Sequence, residues 1–280
     1  MSIATSQQIT KYYETFRSID VTFTKEVVKS VGLVAQNVYL KCLGEQWPCV
    51  VYSGSFDGAR ILAPTKQNLM DRIAKANNMV SLRLSFQPVD KPEPINFFVG
   101  GRIVSLAPYD QSNGTLQFIT IQYVQRPAEV YIETMGRMLE ANVNSSRRRD
   151  DRIILTPTTI RKIHLVRKET TVLIQGVPRK CIVRDLSFFG AKIIIVGLAK
   201  FLVGKQCQLQ LEFDEPEEII DVPGVFVRFE DVEGRKDLAA VAIDYNAATI
   251  PISYKMHLND FLGQQRKGQH ADDGFQPGHG

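Results

Sequence analysis

The chain has 280 residues, of which 44% are hydrophobic and 23% charged. That composition excludes a disordered, collagenous or coiled-coil chain and leaves room for one large domain or two of ordinary size. With 34 basic and 30 acidic residues the net charge is only +4, which, taken as one number, argues against a protein that coats nucleic acid.

Ser6 to Ile19 reads as a helix, because Ile9, Tyr12, Tyr13, Phe16 and Ile19 fall on one face. The pattern then shifts to strands, first around Val21, Val27, Val28, Val31, Leu33 and Val34. Asn37–Lys41, Trp47–Tyr52 and Gly58–Leu62 follow, each bounded by Gly, Ser or Asp. Asn68–Asn77 fits a short helix. Val80–Phe86 alternates cleanly, as a half-buried antiparallel strand does. Asn96–Leu106 and Thr115–Val124 form a hairpin around the turn Asp110 to Gly114. Gly100-Gly101 is expected to mark a bulge or bend in it; a phosphate cradle would need a helix next, and a strand follows. Pro127 opens a second helix with Val130, Tyr131, Thr134, Met135, Met138 and Leu139 inward. It is expected to end in the polar stretch Asn142–Ser146.

The second half is again rich in strand signals: Ile160–Val166, Thr171–Gln175, Lys180–Asp185, Ala191–Val196, Gln206–Phe213, Gly224–Phe229 and Leu238–Tyr245. A spacing of about ten residues with turns between predicts a closed barrel or sandwich. Pro251–Leu262 reads as a closing helix, and the Gly/Gln/His-rich tail as disordered. The expected organisation is an N-terminal α+β barrel-like domain over 1–142, an arginine-rich linker over 143–152, a barrel over 153–262 and a tail over 263–280. The fold class is mainly β with flanking helices, two β-barrel-like domains in all.

Cys42, Cys49, Cys181 and Cys207 form no CxxC pair, and His164, His257, His270 and His279 stand apart from them, so no zinc site is expected. The start of the chain has no secretory pattern, and the most apolar run, Ile193–Val203, is interrupted by Lys200 and short of the ~20 residues of a membrane span. A cytoplasmic protein is expected.

The chemistry concentrates in two places. The linker runs into Arg147-Arg148-Arg149-Asp150-Asp151-Arg152, and three strand signals later comes Asp185-Leu186-Ser187-Phe188-Phe189-Gly190. Arg148 and Arg152 are four apart, so a bent or helical segment would turn both guanidiniums to one side. A guanidinium grips phosphate with a fork of donors, and its flat face stacks on a base. Asp185 offers a carboxylate to the N1–H and N2–H of guanine. Ser187 adds a small hydroxyl, and Gly190 allows either a positive φ or a close approach to the backbone. Asp150-Asp151, between arginines, balances charge and is not read as a metal pair. Each motif alone is weak; both in this order point to a guanine nucleotide with several phosphates.

The pair resembles the signature of PilZ domains, Arg-x-x-x-Arg followed by (Asp/Asn)-x-Ser-x-x-Gly, with the additional Arg147 in front. The resemblance covers about residues 145–262, including the strand count and the closing helix. It departs at Ala240-Val241-Ala242-Ile243, where many members carry Gly-Val-x-Phe. It implies a six-stranded barrel that binds cyclic di-GMP as a ligand, with Arg147, Arg148 and Arg152 on phosphates and guanines. Asp185 and Ser187 would hold a guanine edge, with Gly190 leaving room. The two-domain plan looks like that of flagellar-brake receptors, or of a spirochaete type with a divergent PilZ-like N-terminal domain. Length and helical flanks fit the second better. A protein partner, a flagellar motor component or a regulator, is implied, and with it a role in motility or virulence.

No nucleophile elbow, carboxylate pair or metal cluster is visible, so a receptor without catalysis is expected. The alternative is a nucleic-acid-binding regulator using the same basic cluster, with Phe188 and Phe189 for stacking. The charge itself is uneven: residues 1–140 carry +2, residues 141–200 carry +9, and residues 201–280 carry −7. The near-neutral total hides one cationic patch, enough for a compact anionic nucleotide.

Overall fold

The computed structural model describes residues 4–88, 91–112, 114–149, 151–197 and 199–272; Asn113, Asp150 and the tail from 273 on lie outside them. The chain divides into two compact units, one ending at Leu139 and one beginning at Glu140.

In the first unit α1 (Ser6–Phe16) is capped by the Thr5 hydroxyl and buries Ile9, Tyr12 and Phe16. β1 (Val21–Thr22) is short, and the valines after it are helical, not extended. They form α2 (Lys25–Val31), because Thr24 caps its first turn and Gly32, at φ 67°, ends it in the left-handed region. Cap chemistry overrides the β-preference of Val27, Val28 and Val31 here. Then come β2 (Tyr39–Cys42), β3 (Glu45–Pro48), β4 (Val50–Gly54), β5 (Gly58–Pro64), α3 (Gln67–Lys75), β6 (Met79–Phe86), β7 (Ile95–Pro108) and β8 (Leu116–Tyr123). The sheet has eight strands in the order β1-β4-β5-β8-β7-β6-β2-β3, paired antiparallel in an open half-barrel. Val80, Leu82, Leu84 and Phe86 of β6 all point inward and are buried. Gly100 and Gly101 pair regularly with β6, and the irregularity in β7 falls later, between Ile103 and Ser105. α4 (Glu129–Arg147) packs tightly on α1: a Cβ on Gly136 would lie 2.5 Å from the Tyr12 ring.

In the second unit β9 (Arg152–Ile154) precedes α5 (Pro157–Lys162). The strand expected over Ile160–Val166 is thus replaced by a helix that begins earlier. Thr156 and Thr159 form a reciprocal capping box, and Pro157 presets the first turn. β10 (Glu169–Ile174), β11 (Val177–Ser187), β12 (Gly190–Val196), β13 (Gln206–Asp214), β14 (Glu217–Val232) and β15 (Arg235–Tyr245) follow. Their order is β10-β13-β14-β15-β12-β11, and β10 also pairs with β11, closing a six-stranded antiparallel barrel with β9 added beside β11. β14 pairs with β13 up to Val225 and with β15 from Gly224, so one long strand serves both neighbours.

The barrel is filled by alternating side chains such as Val183, Ile193, Leu209, Leu211, Val222 and Val241. α6 (Ile252–Asp272) buries Tyr254, Leu258 and Phe261. It runs ten residues past the expected end at Leu262. Among the described residues no helix is long and apolar enough to cross a membrane, and no cluster of His, Cys, Asp and Glu is suited to a metal ion.

Candidate ligand-binding site

Both motifs lie in the second unit, and the barrel brings them together. β9 pairs antiparallel with the end of β11, setting Arg152 opposite Ser187, Ile153 opposite Leu186 and Ile154 opposite Asp185. Ile153 and Leu186 are buried and anchor this short ladder. On its outer side Arg152 Nη1 donates to Asp185 Oδ1 at 2.6 Å. The arginine side chain is 47% exposed and the carboxylate 15%, so the pair sits at the rim, with its acid mostly shielded.

The second motif turns tightly. Ser187 pairs with Gly190, leaving Phe188 and Phe189 as the turn. Phe188 is fully buried in the barrel core, while Phe189 is half-buried at its edge. The Ser187 hydroxyl is buried and donates to the Gly190 carbonyl at 3.1 Å. The Ser187 carbonyl in turn accepts from the Tyr254 hydroxyl of α6 at 2.7 Å. The Ser187 hydroxyl thus closes its own hairpin. Gly190 does not have the positive φ that was one of two reasons expected for it, and a Cβ there would lie 2.5 Å from the Ile243 carbonyl oxygen.

The arginine segment is better held than a linker of like charges would suggest. α4 continues through Asn142–Ser146 to Arg147, so the expected polar linker is helical. Two side chains of its last turns bond to α6. Lys255 Nζ donates to Asn142 Oδ1 at 3.0 Å, and Asn144 Nδ2 donates to Asn259 Oδ1 at 2.8 Å. Ser145 is buried beside them. After the helix the backbone N–H of Asp151 bonds back to the Arg148 carbonyl at 3.3 Å, and the chain turns into β9. Arg148 and Arg152 are therefore placed by a helix end and a strand start, not by one helical face.

The PilZN3 domain family matches residues 7–142 of this chain. Over 275 residues the chain is 42% identical to the cyclic di-GMP binding protein of Treponema denticola, spanning 98% of this chain and 87% of that protein. The chain belongs to the family of PilZ-type cyclic di-GMP binding proteins. Among solved structures it is similar to Borreliella burgdorferi PlzA in complex with c-di-GMP, at 20% identity and a TM-score of 0.41, over 91% of this chain and 98% of that one. It is also similar to Escherichia coli YcgR in complex with c-di-GMP, at 14% identity and a TM-score of 0.30, over 94% and 99%.

Within this PilZ-type barrel the three consecutive arginines differ. Arg147 is exposed at the end of α4. Arg149 lies with its guanidinium carbon 4.9 Å from the centre of the Phe189 ring. Such a contact is worth about 0.5–1 kcal/mol at an exposed position, and it ties the arginine segment to the turn of the second motif. Sequence reasoning passed over Arg149 because it is outside the Arg-x-x-x-Arg spacing; the aromatic at Phe189 was the available signal. Arg148 is half-buried, and its Nη1 is shielded from solvent with no hydrogen-bond partner among the described residues. A buried N–H left so costs about 1–3 kcal/mol. Burial lowers the Arg148 pKa from the usual guanidinium value, and the charge of Arg266 adds to this, while Asp151 and Glu140 oppose it. The rim thus presents one cation paired with an acid, one stacked on an aromatic ring, and one whose donor is unused.

Proposed function

We propose that this chain is a cytoplasmic receptor for cyclic di-GMP that acts by binding and not by catalysis. In this reading Arg147, Arg148 and Arg152 hold the phosphates and stack on the guanines, and Asp185 accepts from guanine N1–H and N2–H. Ser187 and Gly190 shape the hairpin that presents Asp185. The observation that supports it is the contact between Arg152 and Asp185, 33 residues apart in sequence and 2.6 Å apart in space. A guanine edge replaces the guanidinium as donor to Asp185, and Arg152 turns to a phosphate. The exchange keeps the carboxylate satisfied and gives each arginine an anion. The reading calls for no metal.

The segment that rearranges follows directly on α4, which starts in the first unit. Ligand binding is proposed to pass through that helix and to change the surface offered to a protein partner, a flagellar motor component or a regulator. Through that partner it would serve motility or virulence. Small-angle scattering with and without ligand tests this coupling; identical profiles at saturation would rule it out. Calorimetry on the intact chain tests the binding. Saturable heat with cyclic di-GMP is expected, with Arg148→Ala and Asp185→Ala each at least about tenfold weaker, ~1.4 kcal/mol. Unchanged affinity in both variants would remove the site as assigned.

A further inference from the structure

α6 reaches the arginine segment, and the way it does so points to a residue that neither motif contains. Lys255, Asn259 and Arg266 are offset by 4 and 11 positions, which at about 100° per residue puts all three within roughly 40° of one another on the helix. The first two bond to Asn142 and Asn144 near the end of α4. These bonds set this face of α6 toward the end of α4. Arg266 lies two turns further along the same face of α6. Its charge acts on Arg148, the residue after the end of α4.

Such an arrangement is unfavourable by itself. The positive charge of Arg266 acts on the Arg148 guanidinium, and Nη1 of Arg148 has no acceptor among the described residues. Asp151 and Glu140 are close enough to act on Arg148, yet neither accepts from Nη1. Adjacent cations around a shielded, unused donor match a bridging anion. A phosphodiester oxygen accepts charge-assisted hydrogen bonds from both forks and turns a repulsion into two attractions.

We infer that Arg266 is a ligand-binding residue, and that with Arg148 it forms a two-arginine clamp on one phosphate of the bound nucleotide. The inference rests on the cyclic di-GMP reading and deepens it by bringing the closing helix into the site. It gives α6 a role in sensing the ligand as well as in covering the barrel.

The test uses the intact chain and three variants, Arg266→Ala, Arg266→Lys and Arg266→Glu, each titrated with cyclic di-GMP by calorimetry and melted without ligand. Arg266→Ala is expected to bind about tenfold more weakly, the loss of one charge-assisted contact. Arg266→Lys should fall between it and the wild type, and Arg266→Glu should be weakest. Without ligand, Arg266→Ala should melt at the wild-type temperature or above it, because a repulsion has been removed. Wild-type affinity in Arg266→Ala overturns the clamp while leaving the receptor reading intact. A lowered melting temperature that accompanies the affinity loss shows a structural role and also overturns it. Absence of cyclic di-GMP binding by the wild type overturns the receptor reading, and the clamp with it.

Discussion

Gly190→Ala separates two purposes for the glycine of the second motif. A Cβ at this position would lie 2.5 Å from the main-chain oxygen of Ile243. Close C–H···O contacts between strands are about 3.3–3.6 Å, so roughly 1 Å of separation would have to be found. Neither strand can give it freely. β12 pairs with β15 along its whole length from Gly190 to Val196, and β15 is held on its other edge by β14. Ser187 and Gly190 also close the hairpin, so a shift there disturbs the Ser187 hydrogen bond. Overpacking of this kind costs about 1–3 kcal/mol. In a unit of this size each kcal/mol is worth about 3–5 °C, so the ligand-free melting temperature should drop by roughly 3–15 °C. Thermal melting of the second unit's transition, followed by circular dichroism, reads this directly. An unchanged melting temperature together with lost cyclic di-GMP binding would refute the packing argument and restore the glycine to a ligand-facing role.

Three further outcomes follow from the same structure. Gly263→Ala, within α6 and with open space around the added Cβ, should stabilise the protein by about 0.5–1 kcal/mol in a denaturant titration. Tyr254→Phe removes the donor to the buried Ser187 carbonyl and should cost about 1–2 kcal/mol by the same titration; a change near zero would mean that α6 does not hold the hairpin through this bond. Burial pushes the thiols of Cys49, Cys181 and Cys207 up to about 12. The unfolded chain releases these protons from about pH 8.5, whereas the folded chain keeps them. Their contribution to stability is therefore full below that pH and is lost as pH rises toward 12. At pH 8 iodoacetamide should label them in denaturant and not in the folded protein.

Where sequence and structure agree, one periodicity or one chemistry dominates. Val80–Phe86 alternates, and its inward residues are all buried. Arg152 and Asp185 have complementary charges on neighbouring strands, and they meet. Where they differ, a local device outweighs the pattern. The valines before Gly32 lie between a Thr cap and a left-handed glycine, and they coil into α2. Ile160 directly follows the Thr156–Thr159 capping box and joins α5 instead of a strand. The polar Asn142–Ser146 stretch looks like a linker because its partners, Lys255 and Asn259, are more than a hundred residues away. The stretch around Arg266 is polar and rich in glycine and glutamine, so the continuation of α6 through it is not legible in the sequence. Ser187 and Gly190 are legible in the sequence as motif residues, whereas the hairpin bond and the strand contact they make are visible only in the fold.

The proposed recognition of a guanine nucleotide at this rim rests on one carboxylate and an arginine cluster. Parallel calorimetric titrations of the intact wild-type chain with cyclic di-GMP and with cyclic di-AMP test it most directly. Both ligands carry the same phosphates, and only guanine offers N1–H and N2–H to Asp185. Saturable binding of cyclic di-GMP is expected, with at least about a hundredfold weaker binding of cyclic di-AMP, ~2.8 kcal/mol. Equal affinity for the two would contradict the role given to Asp185, and no binding of either would contradict a cyclic di-GMP receptor altogether.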